Sequence, residues 1–196
     1  MNFLAQFLKM IKIISGAQTG ADVAGLWAAK LFGIPTSGYA PNGFLTLDGN
    51  HPEMAVTFDI KEHQKSGYRD RTIDNLKSSN STIVCSEKMS AGTRLTINQC
   101  AKAHKVYWLF QLDPSNMDET LNLHFNSDKF RKLVNSIRIS IDMGIPYTLN
   151  VAGNSTKNSQ RIFEFTFKMC CRLFTELGYE TTNDLTNWKQ YQDKWK

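Results

Sequence analysis

A chain of 196 residues that is 41% hydrophobic, 11% aromatic and 21% charged is long enough to bury its own core as one domain, and such an ordinary composition excludes a disordered or fibrous protein. Its 23 Lys and Arg against 18 Asp and Glu give +5 at pH 7, a mild basicity that suits anionic ligands and weak nonspecific nucleic-acid contact; no Lys/Arg run of the length of a specific nucleic-acid surface occurs, and an anionic small molecule explains the excess equally well. The four cysteines, Cys85, Cys100, Cys170 and Cys171, contain no CxxC pair, so neither a zinc site nor a disulfide frame is indicated and a reducing cytoplasm is the expected setting.

Residues 1–10 read as an N-terminal extension. The first fifteen residues are apolar, but Lys9 and Lys12 interrupt the run and no small-residue cleavage site follows, so neither a signal peptide nor a membrane span is expected. Met10 is an alternative start. From Ile11 the pattern is apolar run, Gly-bearing loop, helix, repeated. Ile11–Ser15 is a strand, 16–20 a loop, and Ala21–Phe32 a helix closed by Gly33. Ile34–Ala40 is a second strand, Pro41–Pro52 a long loop, and Met54–Ile60 a short strand. Tyr68–Ser78 is a helix, Ser81–Cys85 a buried strand, Thr93–Ala103 a helix and Lys105–Phe110 a strand. Phe130, Val134, Ile137 and Ile141 recur at helical spacing until Gly144 and Pro146 stop them. Tyr147–Ala152 is another strand, and 153–159 opens a long helix through Leu177. This alternation predicts one α/β, Rossmann-like domain over 11–178, a mostly parallel sheet with helices on both faces. In the tail, 179–196, Leu185, Trp188, Tyr191 and Trp195 share a helical face that Asn183 or Asp184 caps. Docking on its own domain is favoured over a subunit contact.

In a parallel sheet the loops after different strands converge at one edge. Three of them, 15–22, 90–93 and 150–155, combine Gly with small hydroxyl or amide residues just before a helix, where free N–H groups and the positive helix end favour an oxyanion. Taken singly, each has a structural explanation: Gly16 and Gly20 suit a tight turn, and Asp22 and Ser90 suit helix caps. The first loop is not GxGxxG and lacks the P-loop lysine, which disfavours ATP hydrolysis. Arg71 offers a bidentate phosphate contact or a surface ion pair. Asn75 holds a loop carbonyl, a ligand edge or only water. His51, His63, His104 and His124 have no metal-ligand spacing, so no metal site is expected.

SGAQTGAD at 15–22, IPTSGYAPNG at 34–43, RTIDNL at 71–76, SAGTRLT at 90–96 and LNVAGNS at 149–155 together resemble the molybdenum carrier proteins, a YpsA-related branch of the SLOG superfamily, over roughly residues 11–178. The resemblance implies a Rossmann-like fold and a pocket for a nucleotide-derived or phosphorylated ligand, or for the molybdenum cofactor. The ligand contacts expected on the loops and motifs together are Gly16, Gln18, Thr19, Gly20, Asp22, Gly38, Arg71, Asn75, Ser90, Gly92, Thr93, Thr96, Asn150, Gly153 and Asn154. This chain departs from the family at Ala17 and Ala91, where Gly is usual, at Val23, where Arg is usual, and at Asn154-Ser155-Thr156, where Pro-Arg-Glu is usual. The related phosphoribohydrolases carry a catalytic glutamate where Thr96 stands, and a threonine cannot supply a carboxylate. The expected function is therefore binding of an anionic nucleotide-related molecule or cofactor, as carrier, sensor or sequestering protein. The alternative is a nucleotide N-glycosidase drawing its carboxylate from Asp22, Asp48, Glu53 or Glu87. A homo-oligomer, dimer or tetramer, stays open from the resemblance and the aromatic tail.

Overall fold

Apolar runs too short for helices form the strands. In the computed structural model, which describes residues 10–194, these are β1 (Ile11–Ser15), β2 (Thr36–Ala40), β3 (Leu45–Thr46), β4 (Gly49–Asn50), β5 (Ile60–Glu62), β6 (Ser81–Ser86), β7 (Val106–Gln111) and β8 (Tyr147–Gly153). Six of them make one sheet in the order β5-β2-β1-β8-β6-β7, and β3 pairs with β4 as a separate hairpin. Every pairing in the large sheet is parallel, with Ile14 opposite Ser37 on one side and Asn150 on the other. The sheet is buried on both faces at its centre, which is why β6 is buried at every position and reads as a continuous run rather than an alternation.

The helices are α1 (Ala21–Leu31), α2 (Glu53–Phe58), α3 (Tyr68–Lys77), α4 (Ala91–Lys102), α5 (Met117–Phe125), α6 (Asp128–Asp142), α7 (Ile162–Glu176) and α8 (Lys189–Asp193). The first packs on β1, β8 and α7, while α3 and α4 pack on each other and on β2 and β6 respectively. Small residues let α1 approach closely: a Cβ at Gly25 would come within 2.6 Å of Val151. A Ser127 cap that accepts from the Phe130 N–H starts α6, and Phe130, Leu133, Val134, Ile137 and Ile141 are its buried stripe. Among the described residues no helix is long and apolar enough to cross a membrane.

The expected strand over Met54–Ile60 is instead α2 followed by β5. Met54 and Phe58, four apart and both buried, are the helical signal, and Asp59 in the left-handed region (φ 54°) turns the chain into β5. Met117 and Leu121 repeat that spacing in α5, a helix the apolar pattern alone leaves unassigned. At its start α4 gains two residues, because the Ser90 side chain caps it. At the other extreme α7 begins only at Ile162, so 154–161 is a loop of turns. In the tail, Asp184 takes the Thr186 N–H at 2.8 Å into a local turn, and the helix starts later, at Lys189. Tyr191 is buried 5.0 Å from the Trp27 ring, Trp188 faces Phe163, and Asn183 Nδ2 donates to the Leu31 carbonyl, so the tail lies on α1 and α7. Trp195 and residues 1–9 of the extension lie outside the described residues.

At the heart of the sheet Gly38 has φ +136°, and a Cβ there would stand 2.1 Å from the Ser15 carbonyl oxygen. Gly38→Ala is expected to cost about 2–4 kcal/mol from backbone strain and overpacking, read as a lower denaturant midpoint; an unchanged midpoint contradicts this packing.

Candidate functional site

The C-terminal ends of β1 and β8 open into a cleft of about 560 Å³. Gln18 and Asp22 reach it from the first loop and α1, Leu47 from the hairpin, and Tyr68, Arg69, Arg71, Thr72 and Asn75 from α3. Ser90, Ala91, Gly92, Leu95 and Thr96 come from α4, and Asn150, Ala152, Gly153, Ser155 and Asn158 from β8 and its loop. Five chain segments distant in sequence thus share one space, as parallel topology allows.

Its centre is an ion pair. Arg71 Nη1 donates to Asp22 Oδ2 at 3.2 Å, with Arg71 8% and Asp22 5% exposed. Gly16 makes the contact possible, because a Cβ there would lie 1.2 Å from Arg71 Nη1. Burial pushes the Asp22 carboxyl above its ordinary range, opposed by Arg71 and by the N–H groups of Gln18 and Gly153. The guanidinium is far from satisfied: Nε is buried and has no partner, and a buried donor left so costs about 1–3 kcal/mol.

The three loops differ as anion sites. In the first, three donors are spent internally: the Gln18 N–H goes to Asp22 Oδ2, the Thr19 N–H to Gln18 Oε1 at 2.9 Å, and the Ala21 N–H to the Asn154 carbonyl at 3.0 Å. The chain's own Asp22 carboxylate sits where an external anion was expected. Around 153–159 no helix begins, so that loop brings no helix terminus to the cleft. Only α4 offers one. Ser90 Oγ accepts the Thr93 N–H, and among the described residues nothing accepts the N–H groups of Ala91 and Gly92. A Cβ at Gly92 meets only Ser90 Oγ, at 3.9 Å, so the approach is open.

Gln18, Asp22, Arg71, Asn75, Ser90, Gly92, Thr96, Asn150 and Gly153 line this cleft together. Thr19 and Gly20 face a separate hollow of about 620 Å³ with Asp48, Thr156, Gln160 and Phe163. The amide of Asn75 grips the backbone of Tyr39, accepting from its N–H at 2.8 Å and donating to its carbonyl at 3.0 Å. Thr96 Oγ1 donates to the Gly92 carbonyl, and Asn150 Nδ2 to Thr82 Oγ1. Gly38 and Gly153 are close-approach positions, the latter 1.9 Å from the Cys85 carbonyl by its built Cβ. Thr93 and Asn154 lie beneath the cleft. Asn154 Oδ1 accepts from the N–H groups of Glu87 and Lys88 and from Ser86 Oγ, and its Nδ2 donates to the Lys88 carbonyl, Ser90 Oγ and Thr93 Oγ1. Of the four carboxylates considered for acid–base work, only Asp22 lines the cleft. Asp48 belongs to the other hollow, Glu53 pairs with His51 Nδ1 at 2.9 Å, and Glu87 is engaged through its backbone. Among the described residues no three His, Cys, Asp or Glu are grouped to hold a metal.

Leu47, Tyr68, Arg69, Thr72, Leu95, Ser155 and Asn158 also line the cleft and were not anticipated as contacts. Tyr68, Arg69 and Thr72 were within reach of sequence reasoning, since they share the first turns of α3 with Arg71. Leu47 was not. Its place depends on Gln18 Oε1 accepting the Leu47 N–H at 2.9 Å across 29 residues.

Asn154→Ala removes the side chain that stitches the β6 loop to the start of α4. The loss should cost roughly 2–4 kcal/mol in unfolding experiments and speed hydrogen exchange at the Glu87 and Lys88 amides; protection there equal to that of the unmodified protein contradicts the assignment.

A model of the circularly permuted YpsA SLOG family matches residues 13–174. The crystal structure of a "putative molybdenum carrier protein" from Syntrophus aciditrophicus SB is 29% identical, covers 86% of this chain and 96% of its own, and superimposes with a TM-score of 0.66. No curated protein matches.

Proposed function

The chain belongs to the circularly permuted YpsA SLOG family, and from that membership and the cleft we propose that it binds an anionic, nucleotide-related small molecule or cofactor between α3 and α4, as a carrier or sensor. The observation that carries the reading is the Arg71 guanidinium, lying in the cleft with a buried, unpartnered Nε–H. Arginine presents two parallel donors to a phosphate or carboxylate, and the open Ala91 and Gly92 N–H groups add the positive end of a 12-residue helix. The apolar parts of Leu47, Tyr68 and Leu95 would take the ligand's uncharged body.

The donor set fits the anionic part of a molybdenum cofactor, and the similar structure carries the name of a molybdenum carrier. Arg71 and the α4 amides would hold its phosphate. Such a cofactor supplies a metal carried on an organic chelate, and this chain would contribute recognition of the chelate. None of the cysteines lines the cleft, and burial pushes the Cys85 and Cys171 thiols up to about 12, so they are not offered as metal-binding thiolates.

One observation favours the N-glycosidase reading: Asp22 is a buried carboxyl in the cleft with a raised pKa, the profile of a general acid. Against it stands the Arg71 pair, which holds that carboxyl in place, and Thr96 in the position of the phosphoribohydrolase glutamate. Incubated with adenosine, guanosine, cytidine and uridine monophosphates, the protein should release no base at an enzyme-like rate by chromatography. Release that is abolished in Asp22→Asn would replace binding with catalysis.

Native mass spectrometry of the purified protein, with a molybdenum assay on the same sample, tests for a retained ligand. For binding, Gly92→Asp puts a like charge at the α4 terminus and should abolish calorimetric binding of AMP while leaving the melting curve intact. Arg71→Lys keeps the charge but loses the planar fork, so AMP should weaken on the order of tenfold and adenosine much less. Equal losses for both would make Arg71 a purely structural residue.

A further inference from the structure

Arg71 has one positive charge and five N–H donors, and among the described residues one donor is spent, on Asp22. The edge carrying Nε is buried and unspent. Any ligand oxyanion that takes this edge therefore brings a second negative charge against a guanidinium already neutralised by Asp22. Two anionic groups sharing one cation in a poorly solvated site cannot both stay ionised cheaply.

Arg71 is the charged group that acts on Asp22, and the other cation lining the cleft, Arg69, is solvent-exposed, where its charge is screened. Asp22 is the only acidic residue in the first turn of α1, which has no base there. Its neighbours on the first loop and on β8 are the backbone N–H groups of Gln18 and Gly153. The α4 wall presents Leu95 and Thr96, the hairpin presents Leu47, and β8 presents Asn150 and Ala152, all uncharged. Besides Arg71, the charged residue on this wall is Arg69, also on α3.

We infer that Asp22 is the specificity-determining residue of the cleft: as a resident counter-charge on Arg71 it makes anion binding proton-coupled, so that a neutral acceptor binds directly and an anion, such as a phosphate dianion, binds together with one proton. The inference rests on the anion-binding reading above. The proton comes from solvent and goes onto a carboxyl oxygen of Asp22; no other bond forms or breaks. The protonated carboxyl then has an O–H to donate to the ligand oxygen, which turns a repulsion between anions into a hydrogen bond. Burial already pushes this carboxyl upward, so the added negative charge works in the direction the site is biased. The sign follows: affinity for a fixed dianion is highest below the carboxyl's pKa in the free protein, falls as pH rises from there to its higher pKa in the complex, and levels off above that.

AMP is the probe, because its phosphate is a dianion above about pH 7. Titration calorimetry between pH 7 and pH 9, in two buffers of different ionisation heat, counts the protons taken up. The expected result is about one proton per AMP, with Kd rising by up to about tenfold per pH unit. Asp22→Asn should take up none, bind AMP with the same Kd across the range, and bind it more tightly than the unmodified protein at pH 8. If Asp22→Asn fails to fold, the two-buffer measurement on the unmodified protein decides alone. Binding without proton uptake, or an Asp22→Asn protein that keeps the original slope, overturns this inference and leaves the anion-binding reading standing. No binding of AMP at any pH overturns both.

Discussion

The cleft is organised by one buried contact, the Arg71–Asp22 ion pair at 3.2 Å. Buried pairs of this kind give little net stability, because desolvation offsets attraction, yet removing one partner commonly costs about 3–5 kcal/mol. Several unrelated features of the chain exist in consequence. Gly16 has no side chain because the guanidinium lies across it. Asp22 occupies the start of α1 and takes the Gln18 N–H, so that helix end is neutralised from within. The start of α4, whose Ala91 and Gly92 line the same cleft as Arg71, keeps its first N–H groups open among the described residues.

The loops are then held by side-chain amides rather than by regular structure. Asn154 joins the β6 loop to α4, Asn75 joins α3 to β2, and Gln18 hangs the β3–β4 hairpin over the site. Each amide bonds backbone groups that sheet and helix ladders leave over, so a polar residue beneath a site can be spent on shape. That is why several of the polar residues expected to touch ligand hold up the cleft: their donors and acceptors are already used.

The sheet and its main helices were legible because their signals are local: β-branched runs, apolar residues at helical spacing, and Gly or Pro at the ends. The convergence of three loops followed from parallel topology alone. What escaped were features set by contacts between distant residues. Met54 and Phe58 read as strand until Asp59 at φ 54° closes a short helix. Glycine-bearing loops at 15–22 and 150–155 look alike as anion cradles, but whether their N–H groups are free depends on Asp22 and on α7 beginning as late as Ile162. Arg71 was visible as a candidate; that its partner would be Asp22, 49 residues earlier, was not.

The central claim is that the unpartnered edge of Arg71 receives the ligand's anion. Nitrogen-15 NMR of the Arg71 Nε–H during titration with AMP reads that edge directly. The account predicts a downfield shift of this one side-chain proton and slower solvent exchange as the acceptor arrives, with both changes absent in Gly92→Asp. An Arg71 signal that stays unmoved while AMP saturates the protein would place the anion elsewhere and contradict the account.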